Sequence, residues 1–386
     1  MHFTENQIVE DDPLKIIRLF AIDSFNTIFG KLLLAIIFII FLSATLLQTY
    51  YICFDFNGDV FLKQAPVYFT QIYMLVCISF ILYYNIILYD LRRVSPKWQF
   101  SVAKSIMKKT FCDECFYLTL FTLILLSLTV GGSIIFIIPT EQEHEIFFLY
   151  DWMGNHFVEG KSAVIILIKF SLIFLALILQ IPYCQIAYSF QQQNFRFYSL
   201  IDHLESVNAD FEDVSPSDLL FNQIYHQSIQ ERLEYCIKRH IELLNLFRES
   251  LKQSEVIIFL FSVAGALLLI SVLLFILLVG GMPSLIYIKM VYFCIVCLIT
   301  GGGYFVSGQC TEDSYGEIYK TLCKTSWYYW NNSNQKYYLI FMMVASKPLK
   351  IKFSSNIVFN YDLGLKIVRA AYSTCCVMYR KTHNIQ

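Results

Sequence analysis

The last hydrophobic segment of the chain, residues 357–379, carries charged and polar side chains at alternating spacings of four and three. They are Asp362, Lys366, Arg369, Ser373, Cys376 and Arg380. A helix places residues at these spacings on one face, and Asp362 stands four residues before Lys366, where an ion pair forms readily. Charged side chains within a membrane span face a water-filled path or a partner helix. The pattern therefore predicts a helix that lines an ion pore.

A single helical face cannot enclose a pore, so this hypothesis implies an oligomer with the helix at its axis. Toward its C-terminal end the face becomes apolar at Cys376 and Val377. A ring of apolar side chains closes a pore by excluding water, so this end of the face is the candidate gate. One alternative is open: residues 357–369 form an amphipathic extension that lies below the membrane.

A second group of residues has the composition of a small-molecule pocket, which is apolar and aromatic with few polar groups. They lie toward one end of four predicted membrane spans. They are Tyr68, Tyr73, Thr129, Gly132, Phe136, Lys169, Tyr287 and Met290. The alternative for the aromatic residues is ordinary packing or an interfacial tyrosine belt. The alternative for Lys169 is an ammonium group that extends to the membrane surface.

Composition identifies lipid as the solvent that positions these residues. The chain has 386 residues, of which 57% are hydrophobic and 15% charged, whereas soluble domains carry about 25% charged residues. Six segments are apolar over the roughly 20 residues that a membrane-spanning helix needs. They are residues 32–54, 66–89, 116–139, 162–188, 256–279 and 285–306. With residues 357–379 as a weaker seventh, the sequence predicts an all-α, seven-helix membrane bundle.

Basic residues predict how this bundle is oriented. Of the 29 Lys and Arg residues, 21 lie in segments at one end of the predicted spans and four at the other. Cytoplasmic loops carry the excess of basic residues. The N-terminus is therefore expected in the cytoplasm and the C-terminus outside, which is opposite to a G-protein-coupled receptor. No G protein is expected as a partner, and the net charge of −1 gives no reason to expect nucleic acid.

The segments between spans divide the predicted chain into four parts. Residues 1–31 form a cytoplasmic N-terminus, and residues 32–307 form the bundle of spans 1–6. Within it, residues 191–254 have helical apolar spacing that extends spans 4 and 5 into the cytoplasm. Residues 308–352 are an aromatic cytoplasmic anchor, and residues 353–386 hold span 7 and a short extracellular tail. The acidic loop 141–161 is either solvated charge or a lid or vestibule that raises the local concentration of cations.

Catalytic and cofactor-binding motifs do not account for this chain. The sequence contains no HExxH, P-loop, GxSxG or dinucleotide-binding motif, so no enzyme and no cofactor are predicted. Cys112 and Cys115 form a CxxC pair, and no second pair or nearby His completes a metal site around it. They are interpreted as small hydrophobic residues, and no metal site is predicted.

Three stretches of the sequence resemble the insect odorant receptor family. They are Cys236-Ile237-Lys238-Arg239-His240 with Leu243-Leu244 and Glu249; Gly308-Gln309 with Ser314, Tyr319 and Trp327-Tyr328; and Lys347-Pro348 with Leu365-Lys366-Ile367-Val368 and Ala371-Tyr372-Ser373. The second cytoplasmic loop is shorter than that of the co-receptor. The chain therefore resembles a ligand-tuning subunit.

The resemblance implies a nonselective cation channel that odorants open. Such a subunit assembles with the co-receptor as a heterotetramer in the plasma membrane of an olfactory sensory neuron dendrite, and it binds small volatile apolar ligands. By position, Val377 is the constriction, Arg380 lies at the outer exit, and Tyr319, Trp327 and Tyr328 belong to the subunit anchor. Two alternatives are a gustatory-type receptor and, less in keeping with the sequence, a secondary transporter that uses Asp362 and Lys366.

Overall fold

The computed structural model describes residues 12–93, 105–150, 152, 161–211, 216–351, 358 and 360–383. Within them the chain is helical throughout. Its long helices are α3 (Ile28–Phe54), α4 (Gly58–Arg93), α5 (Ser105–Ile137), α7 (Lys161–Glu205), α9 (Gln223–Leu278), α10 (Ser284–Lys324) and α12 (Tyr361–His383). The shorter ones are α1 (Lys15–Arg18), α2 (Ser24–Asn26), α6 (Glu143–Ile146), α8 (Pro216–Phe221) and α11 (Asn332–Ala345). The all-α prediction is confirmed.

Among the described residues, six helices are long and apolar enough to cross a membrane. They correspond to the six predicted spans, although the third and fifth spans were predicted two residues and one residue too long at the C-terminal end. The seventh long helix, α12, is too polar to qualify, because its N-terminal half carries Asp362, Lys366 and Arg369. It begins at Tyr361 and ends at His383; the predicted start at residue 357 lies outside the described residues. The outer and cytoplasmic ends are named below by the orientation that the basic residues predict.

Three spanning helices continue into the cytoplasm without a break. Helix α7 runs for 45 residues, α9 for 56 and α10 for 41, and at ~1.5 Å per residue all three exceed the ~30 Å of hydrocarbon. Asn222 caps α9 by accepting a hydrogen bond from the amide of Tyr225 at 3.1 Å. The helical extensions predicted for spans 4 and 5 are present, and span 6 extends in the same way.

A cytoplasmic core joins these extensions. Its buried side chains include Ile229, Leu233 and Leu243 of α9 and Tyr338 of α11. Polar contacts hold the short helix α11 in place: Asn334 donates to the carbonyl of His226 at 2.8 Å. The indole of Trp330, just before α11, donates to the side chain of Asn208 at 3.2 Å. This core fixes the cytoplasmic ends of the spans relative to one another.

The N-terminal segment packs into the bundle and is not a free cytoplasmic tail. Leu14, Ile17 and Ala21 are buried in the same core cluster as residues of α4, α5 and α7. Arg18 is buried among them, and its charge is balanced by Asp12 at 2.9 Å and Asp23 at 3.2 Å. The described part of the predicted segment 1–31 is therefore a structural element, although residues 1–11 lie outside the description.

Truncation at Ile229 measures how much the cytoplasmic core contributes to stability. Ile229 is fully buried on α9, whereas Ile224 on the same helix is 77% exposed. We expect Ile229→Ala to lower the free energy of unfolding by about 2–5 kcal/mol, because it leaves a cavity in a packed core. Ile224→Ala should change it by less than about 0.5 kcal/mol. Unfolding of the purified chain measures both values, and equal effects would contradict the assignment of this core.

Candidate ligand-binding cavity

A cavity of about 470 Å³ runs through the bundle along the helix axes. Its outer end lies against Phe147 and Leu149, in the segment that follows α6. Its inner end lies against Tyr304 of α10 and Leu363 of α12, so its wall extends from the outer loop to the seventh helix. A volume of this size suits one small ligand, since ligand pockets range over about 300–1,000 Å³.

Most hydroxyl groups in the cavity wall already donate to the backbone of their own helix. Thr129 donates to the carbonyl of Leu125 at 2.7 Å, and Ser133 donates to that of Val130 at 2.7 Å. In α10, Thr300 donates to the carbonyl of Val296 at 2.8 Å. With their donors occupied in this way, these residues add little polarity to the surface that a ligand meets. The wall therefore favours apolar molecules.

Five of the eight residues predicted for the pocket line this cavity: Tyr73, Thr129, Gly132, Phe136 and Met290. Gly132 also has a packing role, because a Cβ atom there would lie 2.6 Å from the ring of Tyr292. The hydroxyl of Tyr292 then donates to the carbonyl of Leu128 at 2.7 Å. The absence of a side chain at Gly132 therefore makes room for the ring of Tyr292, which links α10 to α5.

The other three predicted residues do not line the cavity. The hydroxyl of Tyr68 pairs with that of Thr49 at 3.0 Å, which links α4 to α3. Tyr287 donates to the carbonyl of Val279 and so closes the turn between α9 and α10. Lys169 forms an ion pair with Glu143 at 2.6 Å and does not extend to the membrane surface. Helical spacing located these residues near the outer end of the bundle but could not distinguish the wall of a cavity from a contact between helices.

Ion pairs hold the outer end of the cavity closed. We call Glu143, Lys169 and Lys289 the outer ion cluster: Glu143 of α6 pairs with Lys169 of α7 at 2.6 Å and with Lys289 of α10 at 2.8 Å. Lys289 is almost completely buried, and it also donates to the carbonyl of Ile138 at 2.7 Å and to the hydroxyl of Thr140 at 2.8 Å. Such a buried charge is tolerated only because its donors are matched.

The outer ion cluster positions the cap of the cavity. Phe147 and Leu149 follow α6 directly and cover the outer end. Tyr150 stacks on Phe147 with ring centroids 4.9 Å apart. Burial raises the pKa of Tyr150 to about 12, and the charge of Glu143 adds to the shift. The described part of the acidic loop therefore packs over the outer end of the cavity; residues 151 and 153–160 of the loop lie outside the described residues.

Sequence reasoning missed Glu143 and Lys289 as one unit. Glu143 was one of several acidic residues in a loop, and Lys289 was one of four basic residues in or beside spans. The available signal was a lysine within an apolar span, because such a residue needs a counter-charge nearby. Which carboxylate supplies that charge depends on how the loop folds back, and spacing along the chain does not contain this information.

Helix α12 faces the cavity with one side and leaves its charged side exposed. Leu363, Gly364, Ile367 and Val368 line the cavity. On the other side, Asp362 and Lys366 are exposed and form the expected ion pair at 2.6 Å. Arg369, Ser373, Val377 and Arg380 are also exposed, whereas Cys376 is half-buried.

The apolar residues of α12 are only partly buried. Gly364 and Ala371 are buried and Ile367 is half-buried, but Leu365 and Val368 are more than half exposed. The cavity opens at the side of the bundle between α10 and α12, where Leu298 and Val368 both line it and are exposed.

Comparison with known proteins identifies the family of the chain. The model of the 7tm odorant receptor family matches residues 87–372. The chain belongs to the 7tm odorant receptor family. No curated protein sequence matches the chain. The family match confirms the resemblance stated above, and it assigns the chain to receptors and not to enzymes.

Two solved structures share the fold. One is the insect olfactory receptor OR5 of Machilis hrabei in complex with eugenol, with a TM-score of 0.72 and 9% identity over 97% of this chain and 98% of that one. The other is OR5 of Machilis hrabei on its own, with a TM-score of 0.65 and 9% identity over 95% of this chain and 96% of that one. At this identity the likeness shows the fold alone.

The three residues predicted for the subunit interface of this odorant receptor differ in exposure. Tyr328 is 58% exposed and Tyr319 is 36% exposed, so both offer aromatic surface. Trp327 is half-buried and stacks on Tyr338 of its own chain at 6.0 Å. Trp327 therefore already belongs to the cytoplasmic core of the receptor.

Substitution of Glu143 tests the outer ion cluster. Glu143→Gln keeps the shape of the side chain but leaves two buried lysines without a counter-charge. We expect it to lower the free energy of unfolding by about 3–5 kcal/mol, the usual cost of breaking a buried ion pair. The matched control is Glu145→Gln, because Glu145 pairs with Lys63 at 2.6 Å where both side chains are about 30% exposed. The control substitution should lower the free energy of unfolding by at most about 1 kcal/mol. Equal losses in thermal unfolding of the purified receptor would refute this role of the cluster.

Proposed function

We propose that this odorant receptor is a subunit of a nonselective cation channel that odorants open, and that it acts with a co-receptor as a ligand-tuning subunit. The observation that carries the proposal is the shared wall: four residues of α12 line the same cavity that reaches the outer cap. A ligand in the cavity therefore contacts the helix that is proposed to line the pore.

The proposed ligand is a small, volatile and mainly apolar molecule. The volume of about 470 Å³ and the occupied hydroxyl groups of the wall support this class. The similar receptor OR5 of Machilis hrabei is described in complex with eugenol. Tyr73, Thr129, Gly132, Phe136 and Met290 are the proposed contacts from the sequence.

Channel opening is proposed to follow from a shift in population between two states of the bundle. A ligand shifts such an equilibrium only by the difference in its affinity for the two states. Because Ile367 and Val368 face the cavity, movement of α12 changes the cavity volume and hence the affinity for the ligand. Ligands that fit better when α12 has moved would favour the open pore.

The ion path is proposed to lie along the exposed side of α12, in an assembly with α12 at the axis. Asp362, Lys366 and Arg369 would meet water at its inner part, with Val377 as the apolar constriction and Arg380 at the exit. A single such arginine among several subunits limits the repulsion of cations. Tyr319 and Tyr328 supply exposed aromatic surface for contact with the co-receptor. The proposed location is the plasma membrane of the dendrite of an olfactory sensory neuron.

Whole-cell currents test this function directly. We expect cells that express the chain with an odorant co-receptor to show inward cation current during a panel of volatile apolar compounds. Cells that express the co-receptor alone serve as the control, since they lack the tuning cavity. A gustatory-type receptor would respond to sugars or bitter compounds and not to volatiles. Absence of any difference between the two cell types would refute the proposed role.

Truncation at Val377 tests the gate. Val377→Ala widens and rewets the proposed apolar ring, so we expect basal cation current without odorant to rise several-fold. Leu365→Ala is the matched control, because Leu365 is a similarly exposed apolar residue on the same helix, 12 positions before Val377. Its basal current should stay at the level of the unmodified receptor. An unchanged basal current in Val377→Ala, at equal surface expression, would exclude Val377 as the gate.

A further inference from the structure

The inner end of the cavity lies deeper in the bundle than most of the residues that the sequence placed in the pocket. The residues of α10 that line the cavity run from Met290 to Phe305, ~22 Å along the helix at ~1.5 Å per residue. The cavity therefore extends over about three-quarters of the ~30 Å depth of the hydrocarbon. We call the part bounded by Tyr304, Phe305, Phe261, Leu363 and Ile367 the inner chamber.

The inner chamber contains a buried polar atom that lacks a partner among the described residues. The hydroxyl oxygen of Tyr304 makes no hydrogen bond, although the residue is 94% buried. Its ring is held edge-on between Tyr183, at a centroid distance of 5.4 Å, and Phe261, at 5.5 Å. Tyr73, which also lines the cavity, is a polar neighbour whose hydroxyl interacts with that of Tyr304 without reaching the distance and angle of a direct hydrogen bond. An unpaired buried hydroxyl is costly, and a ligand that supplies an acceptor removes that cost.

Unfilled space lies at Gly301, one helical turn from Tyr304. Gly301 lies three residues before Tyr304, so the two residues share one face of α10. Both line the cavity, and a Cβ atom built at Gly301 would meet no other atom within 4 Å. Gly301 therefore is not required by packing at this point; its missing side chain leaves space in the inner chamber.

The inner chamber also has the most direct contact with the seventh helix. Phe305 follows Tyr304, and its ring lies against Gly364, where an added Cβ atom would come within 2.8 Å of the ring. Leu363, Gly364 and Ile367 form the wall on the other side. A molecule in the inner chamber would therefore lie beside the contact between Phe305 and Gly364, where α10 packs against α12.

We propose that the inner chamber is a second ligand subsite, for small apolar molecules that carry one hydrogen-bond-accepting carbonyl oxygen, such as short aliphatic ketones. The proposal rests on the ligand-binding role proposed above and adds a second place and a chemical class. A carbonyl oxygen has two lone pairs and no donor of its own, so it satisfies the hydroxyl of Tyr304 and a second hydroxyl, that of Tyr73. Its alkyl chain occupies the space left at Gly301.

Photolabelling of the purified full-length receptor in lipid nanodiscs tests this subsite without relying on channel opening. The probe is a short aliphatic ketone that carries a terminal diazirine. The control probe is the matching alkene, in which a CH₂ group replaces the carbonyl oxygen. We expect the ketone to label residues 301–305 or 363–368, as located by mass spectrometry. Labelling only around residues 129–136 and 290–293, or none in the bundle, would overturn the proposal.

Two substitutions test the chemistry of the inner chamber. Tyr304→Phe keeps the ring and both edge-on contacts, so folding should be preserved. It should lower inner-chamber labelling by the ketone about fivefold, the usual effect of one neutral hydrogen bond, and leave labelling by the alkene unchanged. Equal loss with both probes, or no loss with either, would overturn the role of the hydroxyl.

Gly301→Val fills the chamber and should reduce labelling by both probes at least tenfold. Its control is Gly316→Val in the same helix, where a Cβ atom also meets nothing within 4 Å but which does not line the cavity. Unchanged labelling in Gly301→Val would refute the placement of the subsite. If the inner chamber is labelled but odorants evoke no current, the subsite is supported and the proposed channel function is refuted. If odorants evoke current but the inner chamber is not labelled, the channel function is supported and the subsite is refuted.

Discussion

A lipid-buried helix must satisfy its own hydrogen bonds, and most of the architecture of this receptor follows from that constraint. Side-chain hydroxyls obey it as well as the backbone: Thr129, Ser133 and Thr300 each donate to a carbonyl on their own helix. The cavity between the helices is consequently apolar even where its wall contains hydroxyl residues. Against this background the buried, unpaired hydroxyl of Tyr304 is an exception, and exceptions of this kind commonly mark function.

The spans are held together at their two ends by different physical means. At the cytoplasmic end, the continuations of α7, α9 and α10 bury a conventional apolar core with polar contacts to α11. At the outer end, a smaller apolar cluster that includes Ile146 and Ile286 is combined with charge, because Glu143 pairs with both Lys169 and Lys289. Between these two fixed ends, α12 packs by a narrow stripe that includes Gly364 and Ala371. A helix with such a small buried face is suited to move relative to the others.

Charge on α12 and the cavity beside it are two aspects of one arrangement. The face with Asp362 and Lys366 is exposed because the opposite face, with Gly364 and Ile367, is directed into the bundle. The charge pattern in the sequence thus located the outward face correctly. The same pattern implies that the opposite face of α12 is directed toward the other helices and borders any cavity between them. That space proved to be continuous with the outer cap, which joins the proposed ligand site to the proposed pore.

Composition and residue spacing were enough to predict the six apolar spans, the helical extensions and the charged face of the last helix. These features depend on composition and on a period of 3.6 residues, both of which are local along the chain. The sequence also indicated which end of the spans holds aromatic residues, and five of the eight residues chosen there line the cavity. Two contacts could be seen only in the three-dimensional structure: Lys169 pairs with a carboxylate of the loop, and the ring of Tyr292 packs against Gly132. Those outcomes depend on which helices are neighbours and how far each is rotated, and the spacing of residues within one helix contains no information about either.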